Sequence, residues 1–399
     1  MRGSGVTIAW TLLGLAGLIG SCQHLEPAGP GDDEVLDGTI EGLSHEQTAR
    51  HALGDADFSQ VFTPGTGLGP VFVATSCRSC HAGDGKGHPF TTLVRFGQPG
   101  PGGNLFLDLG GPQLQHRAIP GYAPESIPAG ATHASFTPPI TTGMGFLEAV
   151  PDSEILAMAD PNDLDGDGIS GEPNWVTLPP YVSPVPGAIT QGGRYIGRFG
   201  KKASVYSLLQ QTVAAYSEDI GIASAFIPTD VYSRRDVDPE VSNAAIHNVV
   251  FYLQTLKAPV QRERDKPDVI AGQQLFSNIQ CAGCHRPQLT AGRSPIEALS
   301  EKSFFPYTDM LLHDMGPGLD DGYTEGSART SEWRTAPLWG LGLSPKSQGG
   351  QYFLLHDGRA RSIEAAILLH GGEATAAVAG FSQLTPLQRQ QLIRFLESL

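Results

Sequence analysis

The sequence predicts a mainly α-helical protein with long irregular loops and a minor share of β structure. Glycine (50 residues) and proline (31) make up about a fifth of the 399 residues, so much of the backbone must form turns and loops. Residues 98–139, rich in both, should form loops with short strand pairs. Helical apolar periodicity is confined to a few other segments. A Cys-x-x-Cys-His motif occurs twice, at 77–81 and 281–285, which indicates two domains.

The two Cys-x-x-Cys-His motifs have the spacing needed for covalent attachment of haem. Two thiols two residues apart can add to the two vinyl groups of one porphyrin, and the adjacent imidazole then ligates the iron. A lone Cys-x-x-Cys pair would also fit a structural zinc site or a disulfide hairpin, but two copies that both end in His favour haem. We therefore expect two covalently bound c-type haems. The residues concerned are Cys77, Cys80 and His81 in the first motif and Cys281, Cys284 and His285 in the second.

The amino-terminal segment has the composition of a bacterial signal peptide. An apolar run at 6–19 leads to the residues Ile-Gly-Ser-Cys, which end at Cys22 and resemble the lipobox of lipoproteins. The run is short for a transmembrane anchor, which is the alternative interpretation. We expect residues 1–21 to be a lipoprotein signal peptide, Cys22 to carry the lipid, and residues 22–43 to form a flexible tether.

The same segment predicts the location of the protein. Gln23 rather than Asp follows the lipidated cysteine, which in Gram-negative bacteria resembles the choice for sorting to the outer membrane. Covalent haem attachment likewise resembles a process on the outer side of the bacterial inner membrane. The sequence thus predicts an exported protein on the periplasmic side, held at the outer membrane by its lipid.

Charge and cysteine content restrict the function. The formal net charge of −15 argues against a nucleic-acid-binding protein, because such proteins present a basic face. An acidic surface would instead attract a small basic electron carrier, such as a cytochrome or a cupredoxin. Of the five cysteines, four lie in the two motifs and the fifth is Cys22. No cysteine is left for thiol redox chemistry.

Periodicity and capping residues predict the helices that precede the second motif. A short helix at 44–53 should end at Gly54, and another should begin near Asp152. Helices at 207–220 and 243–256 have continuous apolar stripes and are predicted more strongly.

A charged stretch at 257–268, flanked by prolines, is the best domain boundary. It separates a first haem domain, 44–260, from a second, 261–399. A helix at 269–277 directly precedes the second motif, an order that resembles the opening of a class I cytochrome c domain. The carboxy-terminal part should close with two helices, one that begins after Ser362 and one that begins at Thr385-Pro386.

Residues 163–168 (Asp-Leu-Asp-Gly-Asp-Gly) resemble the first half of a calcium-binding loop. The twelfth position of such a loop is Asn174 here, so the bidentate glutamate is missing. A solvated turn held by Asx hydrogen bonds is the alternative, and both interpretations stay open.

Six short motifs together resemble one protein family. In chain order they are Gly-Leu-Gly-Pro at 67–70, residues 163–171, Gly-Arg-Phe-Gly at 197–200, His-Asp-Met-Gly at 313–316, residues 334–342, and His-Asp-Gly-Arg at 356–359. They resemble the di-haem oxidoreductase family, a bacterial group similar to di-haem cytochrome c peroxidases and to the di-haem enzyme that matures methylamine dehydrogenase. The resemblance covers about residues 44–399 and implies two cytochrome c-like domains.

The resemblance implies a division of work between two haems. The haem on His285 is similar to the one that receives electrons from a carrier, and the haem on His81 is similar to the one at which peroxide is cleaved. The implied activity is reduction of hydrogen peroxide or a similar oxidant. The alternatives are a di-haem electron-transfer cytochrome without its own substrate, and a haem-dependent oxidant of an organic or protein substrate.

The sixth ligand of the His285 haem is predicted to be Met315. A thioether raises the potential of a haem, and Met315 lies in a glycine-flanked turn after the second motif. A methionine that fills a gap in the core is the alternative. In the peroxidases the axial methionine stands a few residues before a proline that resembles Pro337, and Trp333 occupies that place here. His313 is the other candidate ligand.

Peroxide cleavage needs a group that moves a proton beside the distal face of the iron. In the relatives a Gln-Ala pair and a later glutamate serve that face, and Glu148-Ala149 and Glu154 are similar in order. The resemblance therefore implies Glu148 and Glu154 as catalytic residues, although the start of a helix also favours an acidic residue such as Glu154. His116 and His133 are lesser candidates for a distal ligand.

Three cationic residues complete the set of candidates. Arg359 and Arg361 could neutralise haem propionates or form surface salt bridges. Lys201 stands next to Gly200, where many relatives are expected to carry tryptophan, so an aromatic route between the haems would have to differ here.

Overall fold

The computed structural model describes residues 36–100 and 103–399. Helix accounts for 35% and strand for 12%, with small sheets, so the fold is mixed with more helix than strand, and the two cytochrome c-like domains stay a prediction. The helices are α1 (His45–Ser59), α2 (Cys77–Cys80), α3 (Met144–Glu148), α4 (Asp152–Met158), α5 (Leu208–Glu218), α6 (Asn243–Thr255), α7 (Pro267–Asn278), α8 (Ser344–Ser347), α9 (Ile363–Leu368), α10 (Thr375–Gln383) and α11 (Pro386–Ser398).

The strands are short and all pair antiparallel. Two-stranded ribbons are formed by β1 with β5, β2 with β6, β3 with β4, β10 with β11 and β12 with β13, and β7, β9 and β8 form one three-stranded sheet. The strands are β1 (Val71–Phe72), β2 (Leu93–Gly97), β3 (Pro99–Gly100), β4 (Gly103–Asn104), β5 (Arg117–Ala118), β6 (Thr132–Phe136), β7 (Trp175–Val176), β8 (Thr190–Gln191), β9 (Arg194–Ile196), β10 (Leu289–Thr290), β11 (Ser303–Phe304), β12 (Leu312–Asp314) and β13 (Glu332–Arg334).

The predicted signal peptide and tether occupy the amino-terminal 43 residues of the sequence. The signal peptide 1–21, Cys22 and most of the tether 22–43 lie outside the described residues. Within the described part of the chain, no helix combines the length and the apolar character needed to cross a membrane.

The helix pair α1 and α6 supports the first motif. A capping box at Ser44 begins α1 as predicted, but the helix does not end at Gly54 and continues to Ser59. The predicted end was wrong because Gly54 serves in packing and not in a cap. A Cβ at Gly54 would collide with the carbonyl oxygen of Asn248 on α6, so only glycine allows the two helices to approach this closely.

The helix pair α7 and α11 supports the second motif in the same way. A Cβ at Gly272 of α7 would collide with the carbonyl oxygen of Gln391 on α11. Four residues further along α7, Phe276 packs against Phe395 with ring centroids 5.4 Å apart. The corresponding pair of the first half, Phe58 and Tyr252, is 5.3 Å apart. The two halves thus repeat one arrangement, in which a helix with a buried glycine precedes the motif and crosses a helix that follows the motif.

The other predicted helices are present. Ser207 and Ser242 cap α5 and α6 with their side-chain oxygens, and Ser362 and Thr385 cap α9 and α11. The largest core cluster combines residues from both sides of the stretch 257–268. The two halves therefore share a core, and the division into domains at that stretch stays a prediction.

Candidate haem site

Both Cys-x-x-Cys-His motifs face one internal cavity of about 1150 Å³. This volume exceeds the ~300–1,000 Å³ of an ordinary small-molecule pocket. The cavity runs between the two helix pairs, and its wall includes all four motif cysteines together with His81 and His285. The fold thus gathers the residues predicted to hold the two haems around one continuous space.

His81 is oriented by a backbone carbonyl. Its Nδ1 lies 2.9 Å from the carbonyl oxygen of Pro139, which can only accept, so Nδ1 carries the proton and Nε2 keeps a free lone pair. Burial, with a smaller contribution from nearby Lys201, lowers the pKa of His81 to about 4 despite this bond. The ring is therefore neutral at physiological pH, the form in which imidazole ligates iron.

His285 has the same surroundings in the second half. Its Nδ1 lies 3.0 Å from the carbonyl oxygen of Tyr307, and burial lowers its pKa to about 4. Phe276 lies beside it at 6.3 Å between ring centroids, as Phe58 lies beside His81 at 6.2 Å. Both imidazoles are thus held in the tautomer and orientation of metal ligands.

The motif cysteines are uncharged free thiols. Burial raises the pKa of Cys77, Cys80 and Cys281 to about 12, and it also raises that of Cys284. A structural zinc site requires thiolates, which these surroundings disfavour. The thiols lie on the cavity wall, where addition to the vinyl groups of a porphyrin can take place.

His313 is held by two carboxylates. Its Nε2 lies 2.9 Å from Asp309 Oδ2 and its Nδ1 lies 2.7 Å from Glu373 Oε2. Although burial opposes charge, hydrogen bonds to Asp309, Cys284 and Glu373 raise the pKa of His313 well above its usual value. Both ring nitrogens therefore carry protons, and the arrangement gives His313 no lone pair with which to ligate iron.

Met315 lies on the cavity wall in a cluster with Leu319, Tyr323 and Trp333. Trp333 itself stacks on His356 with the ring planes 6° apart and the centroids separated by 3.6 Å. The cavity wall thus includes Met315 at the predicted place, and its role as a ligand stays a prediction.

His370 is a cavity-lining histidine that the sequence interpretation missed. Its Nδ1 lies 2.7 Å from the carbonyl oxygen of Ala366, so its Nε2 keeps a lone pair, as in His81 and His285. Burial lowers the pKa of His370 and keeps the ring neutral. His370 also contributes to the lowered pKa of His285, so the two rings lie near each other. The signal that could have revealed it is its position directly after α9 and before two glycines.

Glu148 and Glu154, which the resemblance implies as catalytic residues, form hydrogen bonds away from the cavity. Glu148 accepts hydrogen bonds from Leu208 N (2.7 Å) and from Gln254 Nε2 (2.6 Å), which places it at the start of α5. Glu154 accepts from Thr290 N at 2.7 Å. Neither residue lines the cavity with the motifs. Their catalytic role stays a prediction that the geometry does not support.

Asp219 is the carboxylate that lies beside the first motif. It lines the cavity, and its charge adds to the raised pKa of both Cys77 and Cys80. Burial raises the pKa of Asp219 to about 7, while a hydrogen bond from Gln113 to its Oδ1 opposes that shift. Among the described residues no donor meets its Oδ2. The side chain can therefore gain and lose a proton near neutral pH.

A signal for Asp219 exists in the sequence. In the relatives a Gln-Ala pair precedes a glutamate, and Gln210-Gln211 followed by Glu218-Asp219, at α5 and its end, has a similar order. Sequence order alone does not show which of the two segments lines the cavity.

The remaining candidates lie away from the cavity. His116 and His133 are exposed and do not line it. Arg359 binds Asp357 (2.5 Å) and Asp321 (3.2 Å), and the guanidinium of Arg361 lies 4.0 Å from the ring centroid of Phe353.

The loop at 163–168 is held by Asx hydrogen bonds, as the second interpretation required. Gly168 N donates to Asp163 Oδ1 at 3.1 Å, and Asp167 N donates to Asp165 Oδ1 at 3.1 Å. Oxygens of Asp160, Asp163 and Asp165 lie within 4.8 Å of one another. Asn174 is buried and donates to carbonyls of other segments instead of joining the loop. Calcium binding stays a prediction.

The cavity and its two histidine-terminated motifs define a protein built to hold two haems. A family model described as "Di-haem oxidoreductase, putative peroxidase" matches residues 133–399, and the chain belongs to this family. The match includes the second motif, and the first motif precedes it. Membership confirms the resemblance and identifies haem as the cofactor of the family.

Other comparisons add little. No curated protein matches the chain. Among solved structures, hydrazine synthase of Kuenenia stuttgartiensis under 20 bar xenon is similar at 13% identity, over 100% of each chain, with a TM-score of 0.37. A similarity at this TM-score carries no argument about fold or function.

Proposed function

We propose that the protein is an exported di-haem c-type oxidoreductase that reduces peroxide at the first haem with electrons received through the second. The observation that carries the proposal is the place of Asp219. A half-buried carboxylate, Asp219, whose pKa is raised to about 7, lines the cavity beside the first motif. Peroxide cleavage needs a group that both accepts and donates a proton at working pH.

The residues present fit two covalently attached haems. Each motif offers two thiols on the cavity wall and a neutral imidazole whose Nε2 is free. The repeated pairs of crossing helices support a cytochrome c-like domain around each motif. Cys77, Cys80 and His81 would hold the first haem, and Cys281, Cys284 and His285 the second.

When bound, the first haem supplies the iron at which peroxide is held and its O–O bond is cleaved. Asp219 accepts the proton from the near oxygen of the peroxide and delivers it to the departing oxygen, through the free Oδ2. Gln113 holds the other carboxylate oxygen and fixes the direction of the side chain. Two electrons and two protons convert one hydrogen peroxide to two molecules of water.

The second haem requires a sixth ligand to remain a site of electron transfer. Met315 is the ligand predicted from sequence, and His370 is the one that the geometry favours, because His370 lines the cavity near His285 and keeps a free Nε2. A histidine in this place gives a lower potential than a methionine.

The acidic surface suits a small basic electron carrier, a cytochrome or a cupredoxin, as the partner. Lipidation at Cys22 would hold the enzyme at the outer membrane on the periplasmic side. Calcium at Asp160, Asp163 and Asp165 is a further part of the proposal.

Substitution of Asp219 tests the proposed activity. We expect Asp219→Asn to lower the rate of peroxide reduction by a reduced cytochrome about 10²–10⁴-fold, the usual contribution of acid-base catalysis. The matched control is Asp238→Asn, at an exposed residue, which should keep the wild-type rate.

Three results would contradict the proposal. Wild-type protein with two six-coordinate, peroxide-inert haems would leave electron transfer alone. Turnover that requires an organic substrate would favour the third alternative. If Glu148→Gln abolishes activity while Asp219→Asn stays active, the acid-base role belongs to Glu148, as the resemblance implies.

A further inference from the structure

Five cationic side chains line the cavity; of these, Arg95 is paired with Glu218 and Glu325 and Arg194 is exposed, which leaves Lys86, Lys201 and Arg334. Lys86 follows His81 by five residues, Lys201 lies in the turn after β9, and Arg334 ends β13. Lys201 lowers the pKa of His81, and Asp309, which binds His313 beside Cys284, acts on Arg334. The three residues therefore extend from the first motif towards the second.

The backbone fixes two of these residues side by side. Arg334 N donates to the carbonyl oxygen of Lys201 at 2.9 Å, and Arg334 Nε donates to that of Gly200 at 3.0 Å. Gly200 has a φ of +84°, in the left-handed region that favours glycine, and this turn directs the chain into Lys201. Main-chain contacts thus set the backbone positions of both residues and hold the Arg334 guanidinium.

No carboxylate neutralises the three charges. In the parts of the chain that the structure describes, none of them forms an ion pair. Asp357, the carboxylate that acts on Lys86 and Lys201, is bound by Arg359 at 2.5 Å. Asp309, which acts on Arg334, is bound by His313 at 2.9 Å.

The cost of this arrangement shows in the pKa values. Burial lowers the pKa of Lys86 to about 8 and that of Arg334 to about 10. Burial, then Lys86 and Arg334, lower the pKa of Lys201 well below its usual value. Buried charges without partners are strongly unfavourable, so the part of the cavity that these three side chains line favours an anionic group.

We propose that Lys86, Lys201 and Arg334 bind the propionate carboxylates of the two haems. Each haem carries two propionates, and the three cations lie on the wall that both motifs share. The arginines expected from sequence in this role, Arg359 and Arg361, are engaged with Asp321, Asp357 and Phe353 instead. The inference rests on the haem-binding part of the proposed function and is independent of its peroxidase part.

This assignment gives Lys201 a positive role in the place where a tryptophan was expected. A cation beside the propionates offsets their negative charge and favours the reduced state of the nearby iron. The residue would thus raise haem potential where an aromatic residue would provide a path for electrons.

The test compares variants of the haem-loaded protein by redox titration and by resonance Raman spectroscopy. In Lys201→Gln and Lys86→Gln we expect a lower reduction potential of at least one haem and shifted propionate-bending bands. Lys201→Arg should keep both near wild type, and the exposed control Lys302→Gln should change neither. Haem content per chain is measured for every variant, and its loss in Lys201→Glu, where a negative charge faces the propionates, would support the proposal.

Unchanged propionate bands in Lys201→Gln and Lys86→Gln would overturn the inference, with or without a shift in potential, because a distant charge moves the potential alone. If Lys201→Gln does not fold, Lys86→Gln decides by the same criterion. Peroxide turnover is measured separately. If the protein does not reduce peroxide, the test of propionate binding still stands.

Discussion

At the residue scale, the hydrogen bonding of one ring nitrogen, Nε2, distinguishes the histidines that could ligate iron from the one that could not. His81, His285 and His370 each donate Nδ1–H to a backbone carbonyl and keep Nε2 free. His313 donates from both nitrogens to carboxylates. All four are histidines beside a cavity, and only their hydrogen-bond partners separate metal ligands from a buried cation.

Substitutions of His370 and Met315 should have different effects on the spin state of the second haem. We expect His370→Ala to open the sixth coordination position of the second haem. Electron paramagnetic resonance should then show a high-spin ferric signal from one haem more than in the wild type. Met315→Ala, on the same cavity wall, should leave the spin state unchanged. A high-spin signal from Met315→Ala and none from His370→Ala would contradict the geometry and restore the sequence-based ligand.

Asp219 predicts a pH dependence of activity. Its pKa is raised to about 7, so the carboxylate becomes ionised and able to accept a proton as the pH rises through about 7. The rate of peroxide reduction should therefore increase from pH 6 to pH 8, and Asp219→Asn should remove that increase. Stopped-flow measurement of haem oxidation by peroxide checks this. A wild-type rate that falls over the same range would contradict the role.

At the element scale, two glycines set the distance between crossing helices. Gly54 and Gly272 lie where α1 meets α6 and where α7 meets α11. We expect Gly54→Ala and Gly272→Ala each to lower the free energy of unfolding by about 1–3 kcal/mol, the usual cost of overpacking. Denaturant titration of the haem-loaded protein measures the change.

The control for this prediction lies on the same helix. Leu53 of α1 is 59% exposed, and Leu53→Ala should change the stability by less than about 0.5 kcal/mol. Equal destabilisation by Leu53→Ala and Gly54→Ala would show that the helix crossing does not depend on glycine.

The sequence predicted which segments are helical better than it predicted where the helices end. Apolar periodicity with a capping serine located α5 and α6 closely, because both signals are local. Gly54 misled the prediction, since a glycine that caps a helix and a glycine that allows close packing look the same in sequence. The crossing partner, α6, lies almost two hundred residues away.

At the scale of the whole molecule, the motifs predicted the cofactor type and the structure adds their shared cavity. Spacing alone could identify Cys77 to His81 and Cys281 to His285 as equivalent. It could not bring Lys86, Lys201 and Arg334 together, because these residues lie in segments joined only by the fold. Asp219 and His370 were missed for the same reason.

The central claim is that two haems are covalently attached at the two motifs. A pyridine haemochrome spectrum of the purified protein tests it most directly. We expect c-type haem at two per chain, and one per chain when Cys281 and Cys284 are replaced by alanine. Replacement of Cys77 and Cys80 should likewise leave one. Zinc in place of covalent haem, or two haems that survive the loss of either cysteine pair, would contradict the account.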